Sequence, residues 1–294
     1  MNKSKILGLV LPLLVAGTTG CQVSSDEHTA PSAATFALSG RILPLTKAPQ
    51  LDADGGGRFV DGDRNTVFFY SAAENIADGF SYTYGEKYFW SQLPLTSHSA
   101  DLSVSACYPA VETGNPKNFE WNISDNKQEP DFLLSAPVAV KRDTPRPVAL
   151  TFTHALHKLK VNIQADGTTM TEGQLADILV QCRNVQSVAR LDLLQGKVLS
   201  ASGPLCSVAS KGPRAEFIVP AQEVGSMSLQ IRLGAREQVY DLAQCKIDGT
   251  PLTRLESGKS LVLNITVSEK EFTITGQEIS GWGNQGEVND SIII

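Results

Sequence analysis

The side chains that could do chemistry in this sequence are few, and their spacing argues against most of it. His154 and His157 lie three apart in Phe152-Thr-His-Ala-Leu-His-Lys158. On a strand that spacing points them to opposite faces, so they can share a metal only if the chain bulges between them. A structural role at a bend is the expectation. Asp52, Asp54, Gly57 and Asp63 fall on positions 1, 3, 6 and 12 of a calcium-loop template, but Gly56 replaces the ligand at position 5 and no helix pattern flanks the loop. There is no G-x-S-x-G elbow, no H-E-x-x-H pair, no P-loop and no dinucleotide fingerprint. The expectation is a protein that is not an enzyme and holds neither cofactor nor metal. Cys107, Cys182, Cys206 and Cys245 include no C-x-x-C pair. In an exported chain four thiols allow three full pairings or remain buried and free, and the sequence leaves both open.

Export is written at the N-terminus. Lys3 and Lys5 precede the apolar run Ile6 to Ala16, and small residues Gly17 to Gly20 lead to Cys21. This reads as a signal peptide over residues 1–20, with an apolar run too short for a permanent membrane helix. Small residues directly before a Cys resemble a bacterial lipobox, which makes Cys21 the lipidated first residue of the mature chain. Each buried methylene of an acyl chain, palmitate for example, adds about 0.8 kcal/mol, so more than one chain on Cys21 holds the protein to a membrane. Ser25-Asp26-Glu27 resembles the acidic tag that routes some such lipoproteins to the outer face of the outer membrane. Residues 21–34 are otherwise small or polar and read as a tether.

The elements that would position any site are strands. Phe36 and Leu38 share a face of the first, Thr35 to Leu45, and an Asp/Gly-rich loop follows from Thr46 to Asp63. Thr66 to Ser71, Tyr82 to Trp90 and the alternation Leu102, Val104, Ala106, Tyr108 come next, then Phe119 to Ile123. Beyond the centre, Gln174 to Cys182 starts as a short helix and ends as a strand, Val188 to Leu194 runs into a turn at Gln195-Gly196, and Leu261, Leu263, Ile265 and Val267 alternate without fault. About a dozen short strands and no strong helix signal predict an all-β protein of sandwich type. A chain of 294 residues holds one large domain or two ordinary ones, and the Pro145-Arg-Pro147 break divides it into 35–147 and 148–294. Net charge is −6 with no long basic run, which argues against nucleic acid as a partner.

The stretch Val148 to Ile163 joins the halves. Val148, Leu150, Phe152 and Leu156 are even-numbered, whereas Leu159, Val161 and Ile163 are odd. A strand cannot keep one buried face across that change, so the chain must bulge, bend or pass to another sheet near His157 and Lys158.

Phe152-Thr-His-Ala-Leu-His-Lys-Leu-Lys-Val-Asn-Ile163 resembles the central motif of fimbrillin-like proteins, subunits of type V pili in Bacteroidetes-type bacteria. Thr46-Lys47-Ala48 followed by Gly62-Asp63-Arg64 resembles the family's processing region. Gln195-Gly196 after Ala189 to Leu194 resembles a hairpin of its second domain, and Gly258 to Val267 with Ile279-Ser-Gly-Trp282 resembles its closing strands. The resemblance implies two tandem transthyretin-like β-sandwich domains after a lipoprotein signal peptide. It also implies that a trypsin-like protease removes the lipidated segment and the first strand, and that a strand from the next subunit fills the groove. Mapped here, the cut lies after Lys47 or Arg58, or less readily after Arg41 inside the strand, and the donor-strand candidates are Val288, Ile292, Ile293 and Ile294. Lys47 stands where many relatives carry Arg, and the tail after Trp282 is short. Both fit an anchor, tip or accessory subunit as readily as a shaft subunit.

The resulting expectation is a structural or accessory subunit of a cell-surface pilus, held at the outer membrane or in the fimbrium and serving adhesion to a host or bacterial surface ligand. The alternative is a non-polymerising surface lipoprotein that binds glycan or host protein. That alternative requires Tyr82, Tyr84, Tyr88 and Trp90 to form an exposed platform, and their burial counts against it.

Overall fold

A computed structural model describes residues 34–43, 57–128, 130–247, 249–270 and 272–281. Cys21, Lys47, most of the calcium-template loop, Trp282 and the tail with Val288 and Ile292 to Ile294 lie outside the described residues. What is described is almost entirely β-structure, and its helical elements are short 3-10 turns. One of these, Glu172–Leu175, precedes the strand Leu179–Asp192, matching the expected change from helix to strand there.

Three larger sheets carry the fold. The first runs in the order Gly57–Arg58, Leu38–Ile42, Val148–His154, Leu133–Ser135, Asp101–Tyr108, Arg64–Ser71 and Ile76–Thr83. The second runs Arg214–Val219, His157–Ala165, Lys259–Val267 and Phe272–Gly281. The third runs Lys197–Lys211, Leu179–Asp192, Ser228–Leu233 and Arg236–Asp241, with Phe119–Asn122 also paired to Leu179–Asp192. The apolar side chains gather into two clusters. One contains Phe36, Leu38, Val67, Phe69, Tyr82, Trp90, Val104, Leu150 and Phe152. The other contains Phe68, Trp121, Phe132, Leu156, Leu159, Val161, Leu191, Leu229 and Leu263.

The run Val67-Phe68-Phe69-Tyr70 explains how the clusters meet. Val67 and Phe69 face the first, whereas Phe68 and Tyr70 pack on the second. A strand buried on both faces reads as a continuous apolar run instead of an alternation. The buried Ser105 hydroxyl donates to the Leu193 carbonyl at 2.8 Å, a further tie across this contact. The Gln195-Gly196 turn is tied here as well. Gly196 has φ of +60°, and a Cβ there would strike the Ser135 carbonyl, so only glycine fits.

The central stretch changes partner as its parity requires. Val148, Leu150 and Phe152 lie in the first cluster, and Leu159 and Val161 in the second. The switch is a bend at Ala155-Leu156, two residues before the expected place, where both side chains are buried. The Ala155 amide donates to the Phe132 carbonyl at 2.7 Å, and the Gly258 amide donates to the Leu156 carbonyl at 3.0 Å.

The two histidines brace this bend separately. His154 Nδ1 lies 2.8 Å from an Asp131 carboxylate oxygen. His157, fully buried, donates from Nδ1 to the Glu256 carbonyl at 2.9 Å, and its Nε2 is buried without a partner. Among the described residues no group of His, Cys, Asp or Glu is arranged to hold a metal. The four cysteines Cys107, Cys182, Cys206 and Cys245 are free thiols. Burial pushes Cys107 and Cys182 up to about 12 and Cys245 up to about 11, which keeps them protonated and inert.

Burial also pushes His157 down to about 4 from an ordinary 6.5, against the opposing pull of the Glu256 carbonyl. The unfolded chain therefore takes up a proton near pH 6.5 that the folded chain refuses until about pH 4. Stability is unaffected above that window and falls as pH drops through it, by about 1.4 kcal/mol per pH unit and about 3 kcal/mol in all. Urea unfolding between pH 7 and pH 4 should register this loss, and His157→Gln, which keeps a donor for Glu256, should flatten it.

Candidate functional site

The first strand occupies a groove instead of completing a core of its own. Thr35–Phe36 pairs with Tyr88–Phe89, and Leu38–Ile42 runs parallel to Val148–Phe152. The Val148 amide donates to the Ala37 carbonyl at 2.8 Å, and the Leu43 amide donates to the Phe152 carbonyl at 2.9 Å. Its inward residues are the even-numbered ones, with Phe36, Leu38 and Ile42 all buried. Phe36 meets the rings of Phe69, Tyr82 and Trp90 at centroid distances of 5.4, 5.9 and 5.1 Å. At about 1.5–3 kcal/mol each, the three apolar side chains contribute on the order of 5–9 kcal/mol of gross burial. Without this strand, the Val148–Phe152 edge and an aromatic trough would be open, which is a template for pairing with another strand.

The fourth inward position is Gly40, and a glycine inside a strand often marks a close approach. A Cβ there would meet the Tyr84 hydroxyl and would lie 2.7 Å from Phe59 Cδ2. Phe59 stacks on Tyr84 with centroids 5.0 Å apart and meets Phe152 edge-on at 4.8 Å. This is also the polar point of the groove. The Tyr84 hydroxyl is buried without a hydrogen-bond partner, and burial raises its pKa above the ordinary tyrosine range. Asn65 is fully buried, pairs in register with Tyr82, and leaves both amide atoms unpartnered. Tyr82, by contrast, accepts from the Leu38 amide at 3.3 Å.

Arg41 and Arg58, two of the expected processing points, are brought face to face. Their Cα positions pair directly, and both side chains are exposed. Like charges directly opposite on paired strands repel. The bond after Arg41 is held in a ladder on both sides, by Thr151 and by Arg58. Arg58 belongs to a two-residue edge strand paired only to Leu38–Ile42. Of the four aromatics that would have formed a binding platform, Tyr82 and Trp90 are buried, and Tyr84 and Tyr88 are half-buried. They line the trough of the first strand.

An open cavity of about 830 Å³ lies elsewhere, lined by Asp63, Arg64, Thr66, Phe68, Tyr108 and Glu112 among others. Its lining includes no His, Cys or Lys. Asp63 there is engaged in accepting from the Val60 amide at 2.8 Å, and the Thr66 hydroxyl donates to the Val111 carbonyl at 2.7 Å.

Comparison with known proteins places this architecture. Residues 47–282 match the family model described as fimbrillin-like. The candidate fimbrium subunit Fim1C of Bacteroides uniformis is 27% identical over 246 residues, covering 78% of this chain and 76% of that protein. A candidate cell adhesion protein of Bacteroides uniformis superimposes with a TM-score of 0.64 at 21% identity, over 86% of this chain and 99% of that one. A candidate cell adhesion protein of Bacteroides ovatus does so with a TM-score of 0.60 at 16% identity, again over 86% and 99%. At those identities the solved structures establish a shared fold. The family match spans the central stretch, the second hydrophobic cluster and all of the first except its N-terminal strand, and on that ground the chain belongs to the fimbrillin-like family.

Proposed function

We propose that this protein is a structural or accessory subunit of a cell-surface pilus, such as an anchor or tip, and that it serves adhesion. In this reading Cys21 carries the lipid that holds it at the outer membrane, and the chain folds as two tandem transthyretin-like domains. A trypsin-like protease then cuts after Lys47 or Arg58, the Thr35–Ile42 segment leaves, and a strand of another subunit takes its place. The observation that carries the reading is the groove itself. The first strand fills it with only three large side chains, and its departure would uncover one backbone edge and one aromatic trough while leaving the second cluster intact. Family membership and the likeness to Fim1C support a pilus setting. The burial of Tyr82 and Trp90 weighs against a glycan platform on these aromatics.

Two experiments test this. Limited trypsin digestion of the chain expressed without residues 1–21 should yield a stable product beginning at Phe59 or Ala48 that forms SDS-resistant ladders. A product that stays monomeric would remove donor-strand assembly from the account.

The second uses Phe36→Ala. Emptying that aromatic site should lower the urea stability of the uncut chain by about 3–5 kcal/mol. Once the chain is processed the loss should vanish, because Phe36 leaves with its strand. Equal destabilisation before and after digestion would mean that the strand stays.

A further inference from the structure

Arg58 combines an exposed side chain with a backbone that is not free. Before the Arg58–Phe59 bond, the chain is paired to Ile42 and Arg41. After it, the Val60 amide donates to Asp63 at 2.8 Å, the Gly62 amide to the Tyr84 carbonyl at 2.8 Å and the Tyr84 amide to the Asp63 carbonyl at 2.9 Å. Between these ties sits the Phe59 ring, which stacks on Tyr84 at 5.0 Å, meets Phe152 edge-on at 4.8 Å and lies 5.5 Å from Tyr108, centroid to centroid. The fourth wall of its seat is the bare backbone of Gly40, where a Cβ would come within 2.7 Å of the ring. We propose that the seated Phe59 ring is a latch on the Arg58–Phe59 bond, so that a trypsin-like protease cuts there only from a state in which the ring has left its seat. This rests on the reading of Arg58 as a processing point given above.

A protease of that type takes the Arg side chain into one pocket and must draw the residues on both sides of the bond into its own cleft. The Arg58 side chain is available for the pocket. Phe59 is not available for the cleft, because its ring is enclosed by Gly40, Tyr84, Tyr108 and Phe152 and its neighbours are bound into the turn. When opening and reclosing are fast relative to cutting, the cutting rate follows the population of the open state. Each contact of the ring with its seat lowers that population. The charge of Arg41, directly opposite Arg58, raises it, so the ring holds shut a pair that electrostatics pushes apart.

The seat also couples the bond to the first strand. Gly40 lies on Leu38–Ile42 and Phe152 on the strand beside it, whereas Tyr84 directly follows Ile76–Thr83 at the other end of the same sheet. The walls therefore come together only while the first strand is in its groove. A chain with that strand docked is protected after Arg58, and a chain in which it loosens is open to the protease. Gly40 thereby has a duty beyond its own strand, since any side chain there would press on the ring.

The test follows trypsin digestion of the chain from residue 22 as wild type, Phe59→Ala and Gly40→Ala, timing the product that begins at position 59 by mass spectrometry. Each variant should be cut after Arg58 about tenfold faster or more, the effect of losing one aromatic packing site. Peptides of residues 55–63 with Phe or Ala at position 59 correct for the protease's own preference there. Should Gly40→Ala fail to fold, Tyr84→Ala, which removes another wall, replaces it. Cutting after Lys141 and Lys211, whose side chains are 79% and 67% exposed, should keep its rate. Equal acceleration at those lysines would mean a general loss of stability and would overturn the latch. An unchanged rate after Arg58 in both variants, or no cut there in any of them, would also overturn it and leave assembly after a cut elsewhere standing. Faster cutting after which the first strand stays bound on gel filtration would uphold the latch and sink the departure of that strand.

Discussion

The structure depends on the requirement that one continuous run of chain, Val148 to Ala165, bury its side chains in two different cores. Its even apolar residues up to Phe152 face one cluster and its odd apolar residues from Leu159 face the other, and the bend at Ala155-Leu156 converts between them. In each sheet this run has one parallel and one antiparallel neighbour. Leu38–Ile42 and Leu133–Ser135 flank the first half, and Lys259–Val267 and Arg214–Val219 flank the second. The hydrogen bonds from Ala155 to Phe132 and from Gly258 to Leu156 hold the bend, and His157 fills its interior in the neutral state. A charged side chain at that point would face desolvation with only a carbonyl for company.

That arrangement makes the two parallel partners unequal. Lys259–Val267 continues through a further antiparallel strand, Phe272–Gly281, and lies well inside its sheet. Leu38–Ile42 has only the two-residue Gly57–Arg58 strand beyond it, and that strand sets Arg58 against Arg41. The edge of the first sheet is therefore finished by the segment with the least holding it from outside. Its apolar residues nevertheless fill an aromatic trough that no other described segment occupies. A strand so placed buries three apolar side chains with only a two-residue strand beyond it, and the assembly proposed for this protein rests on that arrangement.

Asn65 and Tyr84 carry polar atoms that are buried without a partner. Buried donors and acceptors are normally paired, and each exception asks for an explanation. Asn65 and Tyr84 lie diagonally across the Arg64–Ser71 and Ile76–Thr83 pairing, and the Tyr84 hydroxyl lies against Gly40, which offers it no side chain.

Much of this was legible in the residues. The alternation of Phe36 and Leu38, the apolar run at Val67 to Tyr70 and the parity change near His157 and Lys158 determined strands and the passage between two cores, because side-chain period is a local property of the backbone. The sequence missed the strand Lys197–Lys211, rich in Ser, Ala and Gly, whose side chains are mostly exposed. It exists because Leu179–Asp192 offers it a partner through several bulges, and no local pattern records that. Nor could spacing tell that Tyr82 and Trp90 were groove walls instead of a platform, or that Gly40 sits under Tyr84. Those facts depend on which residues distant in the chain meet across a curved sheet, and only the tertiary structure decides that.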